Sequence, residues 1–363
     1  MSAGLGQIRR MDSRLADRFG LEIPLIQAPM AGVSTPELAA AVTNAGALGA
    51  VALGALSAEA AARELARTRE LTKGPILANV FVHSAPHRSA AKEASFVAAL
   101  APLFERADAV APEGLEEPYR SFNDNGDLLE ALVDARPEAV SLHFGPGAPD
   151  RIEALRAAGI TILATATTLA EVRLLARSGI DMVVLQHADA GGHWGSFLDP
   201  DRQPTDRPAS SVPDLDQLIA SVAAETDLPV IAAGGLMDGR DIGRVMAAGA
   251  AGAQLGTAFI ACPETLASDA YRARLVSSPS TRSTHRISGR TARGLDNALM
   301  QALDSVAVAV PDYPLAYDAV KRLIAAVGDP EFAVMWAGAG ASRARALPAG
   351  ELVRRLIDEL AAC

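Results

Sequence analysis

Cysteine is nearly absent from this chain: Cys262 and Cys363 are the only two, and they share no metal-ligand or redox spacing. Two such cysteines build no disulfide framework, so the chain reads as a protein of a reducing compartment and is expected in the cytoplasm. Positive charge is scarce as well. A formal net charge of −10 without any Lys/Arg cluster argues against nucleic acid or an anionic membrane as partner. There is no unbroken apolar stretch of membrane-spanning length. Leu38 to Leu56 comes nearest, but Thr43, Asn44, Gly46, Gly49 and Gly54 divide it into helix, turn and strand. The N-terminal segment has no apolar core before a cleavage site and does not read as a signal peptide. No G-x-G-x-x-G follows the first strand, and no phosphate-loop signature or nucleophile elbow occurs. These gaps disfavour a Rossmann dinucleotide site, a P-loop and covalent serine hydrolysis.

What the chain does have is hydrophobic residues, at 50% of its 363, enough to fill a sizeable core. They recur in eight short runs: Pro24 to Met30, Leu48 to Leu53, Pro75 to Val82, Ala139 to Phe144, Thr161 to Thr167, Met182 to Gln186, Pro229 to Gly235 and Gly252 to Ile260. Helical pattern lies between most of them. Alternating strand and helix means a parallel sheet, and eight such units predict an α/β fold closed as a (β/α)8 barrel rather than an open doubly wound sheet.

The spacing also predicts departures from a plain barrel. The connection from Val82 to Ala139 is nearly twice the length one helix needs and reads as an excursion over the barrel mouth. His83 and His87 within it read as solvated loop histidines rather than metal ligands, since Pro86 lies between them and no third ligand is near. The polar stretch His187 to Pro208 reads as a lid or binding segment. From Glu264 to Val327 the pattern turns helical, and Pro348 to Ala362 reads as an amphipathic closing helix. The expected division is a barrel over 12–262 and a small, mainly helical cap over 263–363, its closing helix packing back on the barrel.

Glycines mark the carboxyl ends of three successive strands: Gly191-Gly192, Gly234-Gly235 and Gly256-Thr257. One glycine pair is usually only a turn. Three around one corner of a barrel mouth, with the Thr257 hydroxyl and a following helix, point to a phosphate-bearing cofactor. In Ala139 to Phe144, alternation puts Val140, Leu142 and Phe144 on one face and Ser141 and His143 on the other, so His143 is expected to project into the mouth. Asn79 and Gln186 are amides where a strand interior favours hydrocarbon. Each is either a core amide bonded to backbone or a partner for the edge of a planar cofactor ring.

These segments resemble the nitronate monooxygenases, formerly 2-nitropropane dioxygenases, over roughly Leu21 to Ala341. The resemblance is carried by Ala28-Pro29-Met30 with Thr35-Pro36-Glu37-Leu38-Ala39 and Asn44-Ala45-Gly46, by Ser141 to Gly145, by Ala190-Gly191-Gly192-His193, by the glycine-threonine segment, and by Tyr313-x-x-x-Tyr317-x-x-x-Lys321, which marks the class I branch. At helical spacing the last three share one face. The resemblance implies a TIM barrel with non-covalent FMN at its mouth, oxidising alkyl nitronates, and nitroalkanes as further candidate substrates, with dioxygen to a carbonyl product and nitrite. It implies FMN contacts at Ala28, Pro29, Met30, Asn79, Gln186, Gly191, Gly192, Gly234, Gly235, Gln254, Leu255, Gly256 and Thr257, with no metal. It matches His143 to the catalytic base, Tyr313, Tyr317 and Lys321 to the substrate site, and leaves His193 a flavin-supporting role. The family's usual Gln-Gly-x-Glu-Ala-Gly-Gly-His-Arg-Gly is altered here at His187, Asp189 and Trp194, which bears on substrate preference. The resemblance is compatible with a monomer or homodimer. The competing readings are an FMN-dependent NAD(P)H:quinone or enoyl-thioester reductase on the same barrel and a non-catalytic flavin- or phosphate-binding barrel.

Overall fold

The computed structural model describes residues 13–199, 214–277 and 280–363. The expected runs form strands β1 (Leu25–Gln27), β2 (Gly49–Ala52), β3 (Ile76–Phe81), β4 (Ala139–His143), β5 (Thr161–Ala166) and β6 (Met182–Gln186). A two-residue strand, β7 (Gly192–His193), follows, then β8 (Val230–Ala233) and β9 (Gly252–Leu255). All but β7 pair in parallel in the order β1-β9-β8-β6-β5-β4-β3-β2. The ends of that order meet: Ile26 bridges Leu48, and the amides of Gln27 and Leu48 donate to the carbonyls of Leu48 and Leu25 at 3.0 and 2.9 Å. The sheet is therefore a closed (β/α)8 TIM barrel with no free edge.

Two layers of core follow from strand alternation. Inward-facing Ile26, Ala50, Leu77, Leu163, Val184 and Ile231 fill the barrel, while Val51, Val80, Val140, Ile162, Val183 and Ala232 face the surrounding helices. The helices start where capping residues permit: the side chains of Thr35, Ser57, Thr168 and Asp238 each accept the amide three residues on. The closing helix, Ala349–Ala361, buries Leu352, Val353, Leu356 and Leu360 against the barrel's outer core.

A second core lies apart from the barrel. Phe96, Leu100 and Phe104 of the helix Ala90–Arg106, from the long β3–β4 connection, pack with Leu299, Met300, Leu303, Leu315, Val320 and Leu323 from the C-terminal region. The run from Glu264 to Val327 is not helical throughout. Strands β10 (Thr281–Thr284) and β11 (Ala292–Leu295) form an antiparallel pair, and β11 also pairs with β7, Ala292 opposite His193 and Arg293 opposite Gly192. The cap thus reaches back to hold the loop after β6.

Of the stretch His187 to Pro208, residues 187–199 are described and the remainder lies outside the described residues. The described part is tied down on both sides. The buried Glu171 carboxylate accepts the amides of Phe197 and Leu198 at 2.7 and 3.2 Å and the Ser196 hydroxyl at 2.8 Å, while its other oxygen accepts the Thr167 amide and hydroxyl at 2.7 Å each. Arg290 donates to the carbonyls of Trp194 and Ser196 from the cap side. No helix among the described residues is long and apolar enough to cross a membrane.

Candidate active site

A cavity of about 630 Å³ opens at the carboxyl ends of the barrel strands, within the range of small-molecule and cofactor sites. Ala28, Pro29 and Met30 line it beyond β1, Asn79 and Ser141 from β3 and β4, and Gln186, Gly191 and Gly192 from β6 and its loop. Gly234, Gly235, Gln254, Gly256 and Thr257 line the remaining side. Leu255 does not reach it. Its side chain alternates outward into the helix-facing core, and only its carbonyl points back, accepting the Ala28 amide at 2.8 Å.

The glycine corner is a backbone surface. Gly234 and Gly235 take φ of 119° and 72°, which a side chain would strain. A Cβ on Gly256 would lie 3.3 Å from the Ala28 Cβ and 3.8 Å from the Met30 Sδ. Thr257 Oγ1 accepts the Gly338 amide at 3.0 Å, so its own proton is free for an anion. Gly338 and Gly340 belong to the corner too. Gly191 packs so closely on Ala337 and Gly338 that a Cβ there would meet backbone at 2.6 Å. Sequence reading missed this segment because no strand precedes it.

The two amides serve the protein first. Asn79 Nδ2 donates to the Ser141 carbonyl and hydroxyl at 3.1 and 2.9 Å. Gln186 donates to the His193 carbonyl at 3.0 Å and accepts the Gly195 amide at 2.7 Å. Both are core amides bonded to their neighbours, and both still border the cavity.

Ser141 and His143 share the cavity side of β4, as alternation requires. Phe144 does not join Val140 and Leu142. The strand ends at His143, Phe144 takes φ 83°, and its ring turns to pack with Tyr119 and Tyr313. Both nitrogens of His143 are engaged. Nε2 lies 3.2 Å from the His193 carbonyl, which can only accept, so Nε2 carries the proton and Nδ1 accepts from the Thr165 hydroxyl at 3.0 Å. Burial and then the Arg290 charge lower its pKa to about 4, against the opposing bond to the His193 carbonyl.

His193 is placed differently. Strand pairing of β7 with β11 holds its backbone, Nε2 lies 2.8 Å from the Ser288 hydroxyl, and no described residue bonds Nδ1. The ring lines the cavity among Trp336, Tyr313 and Tyr317, with centroids at 5.3, 5.4 and 6.2 Å. Burial, then the neighbouring His143, Arg290 and Lys321, lower its pKa to about 3. Both imidazoles are neutral near pH 7.

The tyrosine–lysine ladder is only partly a helix face. The helix begins at Leu315, because the residue before Pro314 is excluded from helical geometry, so Tyr313 precedes it. Tyr313 is buried behind the cavity wall and accepts the Tyr119 hydroxyl at 2.8 Å. Tyr317 and Lys321 line the cavity one turn apart, with the lysine Nζ 4.6 Å from the Tyr317 ring centre and 5.1 Å from that of Tyr119. Burial lowers the Lys321 pKa, and Asp318 partly offsets this. Lys321 is the one lysine among the described residues lining the cavity, and no arginine, aspartate or glutamate lines it. Tyr119 escaped sequence reading because it lies in an irregular segment with no periodicity. His83 is not solvated as expected: it is 3% exposed, set edge-on to Tyr313 and Tyr119, and burial lowers its pKa to about 4. His87 is exposed.

The sequence profile of the nitronate monooxygenase family matches residues 12–359. This chain belongs to that family. It is 43% identical over 358 residues to a nitronate monooxygenase of Pseudomonas aeruginosa, covering 96% of this chain and 99% of that protein. It is 44% identical over 348 residues to one from Paraburkholderia phytofirmans, covering 94% and 93%. Among solved structures, a nitroalkane oxidase from Streptomyces ansochromogenes superposes with a TM-score of 0.83 at 37% identity, covering 96% of this chain and 98% of the other. FabK from Thermotoga maritima, at 23% identity and a TM-score of 0.69, shares the fold. The nitronate monooxygenases are flavin-dependent oxidoreductases that act on small-molecule substrates.

Proposed function

We propose that this protein oxidises alkyl nitronates with dioxygen to a carbonyl product and nitrite, using FMN. The observation that carries the reading is the charge pattern of the cavity: one cation, Lys321, two neutral imidazoles, and no carboxylate among the described lining residues. An anion is favoured there, and a neutral carbon acid meets only weak bases. The backbone corner of Gly234, Gly235, Gly256 and Thr257 fits one phosphate, with Ala28 to Met30, Asn79 and Gln186 bordering the ring. When bound, FMN supplies the electron acceptor and the route to dioxygen.

The protein's own groups then have separable roles. Lys321 and Tyr317 bind and orient the anionic substrate. Tyr119 and Tyr313 exclude water behind them. His193 Nδ1, which no described residue bonds, is the proton acceptor for any neutral nitroalkane, and His143 is a positioning residue that holds the His193 carbonyl. The resemblance matches His143 to the base; we assign the role to His193 instead, since both nitrogens of His143 are bonded, to the Thr165 hydroxyl and the His193 carbonyl.

Anaerobic mixing with propionate 3-nitronate tests the reading. Bleaching of the flavin by the nitronate, faster than by NADH or NADPH, is expected. Rapid reduction by a nicotinamide and none by the nitronate would favour a reductase, and no reduction by either a binding protein.

A further inference from the structure

We propose that Ser288 is a positioning residue that fixes which ring nitrogen of His193 carries the proton. The inference rests on the role given to His193 above. Ser288 is fully buried and belongs to no strand or helix. Its Oγ lies 2.8 Å from His193 Nε2 and 3.1 Å from the Arg290 carbonyl. A serine hydroxyl has a single proton, and a carbonyl can only accept one. The proton therefore goes to the Arg290 carbonyl, and Oγ accepts the proton of Nε2. A neutral imidazole protonated at Nε2 has its lone pair on Nδ1.

The turn that carries Ser288 is built so that this contact cannot drift. Gly289 takes φ 84°, and a Cβ there would stand 2.3 Å from the Pro311 carbonyl oxygen. The Arg290 amide reaches back to Ser288 Oγ at 3.3 Å. The Arg290 guanidinium lies 4.0 Å over the Phe144 ring and grips the carbonyls of Trp194 and Ser196, on the loop that carries His193 itself. Two residues further on, Ala292 pairs with His193 in the sheet. One short segment, 288–292, thus sets the backbone, the ring and the tautomer of His193 together.

Without the hydroxyl, an Nε2 proton would sit buried with no acceptor, so the alternative tautomer gains relative to the native one by about tenfold or more. The test is the ¹⁵N spectrum of histidine-labelled protein near pH 7.5, with the His193 signals assigned by their loss in His193→Gln. The native protein should show a pyrrole-type Nε2 and a pyridine-type Nδ1 at His193. Ser288→Ala should lose that pattern, becoming averaged or reversed, and Ser288→Thr should restore it. If the larger Thr side chain prevents folding, Ser288→Ala alone decides. An unchanged pattern in Ser288→Ala, or a native pattern other than the one given, would overturn the proposal. Failure of the native protein to oxidise any nitronate would refute the proposed reaction instead, and the nitrogen pattern would still be readable.

Discussion

Lys321→Met removes one charge from the cavity while keeping an unbranched apolar stem in place. The ammonium already lies over the rings of Tyr317 and Tyr119, so little side-chain freedom is left to lose when a substrate arrives. An opposite charge about 4 Å away attracts it by about 4 kcal/mol at an effective dielectric near 20. Stripping water from both ions offsets part of this, leaving about 1.4–2.8 kcal/mol, a factor of about 10–100 in binding. Oxygen consumption should be measured with propionate 3-nitronate, which carries a second anionic group, and with propyl nitronate, which does not. The expected outcome is a KM raised about 10–100-fold for both, since each carries the nitronate charge, with flavin content and kcat nearly constant. Equal increases would place the lysine on the nitronate group itself. Unchanged KM for both would refute a substrate-facing cation.

Two further outcomes follow from the glycine corner and the buried histidines. Gly235→Val should yield folded protein with little FMN after desalting, because φ 72° is strained for valine and its Cβ would press on that of Asp189 at 3.2 Å; full FMN recovery by chromatography would remove the phosphate assignment. His83, His143 and His193 have folded pKa values of about 4, 4 and 3, below an unfolded value near 6.5, so the unfolded chain binds more protons and stability falls as pH drops from about 6.5 toward 4. The loss is on the order of 2 kcal/mol per histidine at pH 5, and a denaturant-unfolding profile that stays flat from pH 7 to 5 would show that these rings are not held neutral.

The barrel was legible because its signal is repetitive. Eight apolar runs at regular spacing leave few alternatives, and seven gave a strand close to their expected limits, while the eighth is a strand only over Gly252–Leu255 and continues as a helix over Thr257–Ile260. Strand alternation also placed Ser141 and His143 correctly on the cavity side. It failed one residue later, at Phe144, where a left-handed backbone ends the alternation. The cap was harder to read because its contacts join distant segments. Nothing local marks Gly192-His193 as a strand until Ala292 and Arg293 pair with it. Tyr119, Ser288, Gly338 and Gly340 lie in irregular backbone, and their positions depend on which other segment lies opposite. Helical spacing grouped Tyr313 with Tyr317 and Lys321, but the local rule at Pro314 separates them. The hydrogen bonds that engage both nitrogens of His143 but only one of His193 are invisible in sequence.

The pairing of β7 with β11 bears on the order in which this protein matures. All eight barrel strands have left the ribosome once Leu255 has emerged, yet His193 then has neither its sheet partner at Ala292 nor its bond to Ser288. The floor of the glycine corner waits longer still, for Gly338 and Gly340. A nascent barrel is therefore complete as a scaffold well before it is complete as a pocket. The lining of the cavity is thus completed only by segments that follow the barrel in the chain, so pocket assembly comes after barrel closure rather than with it.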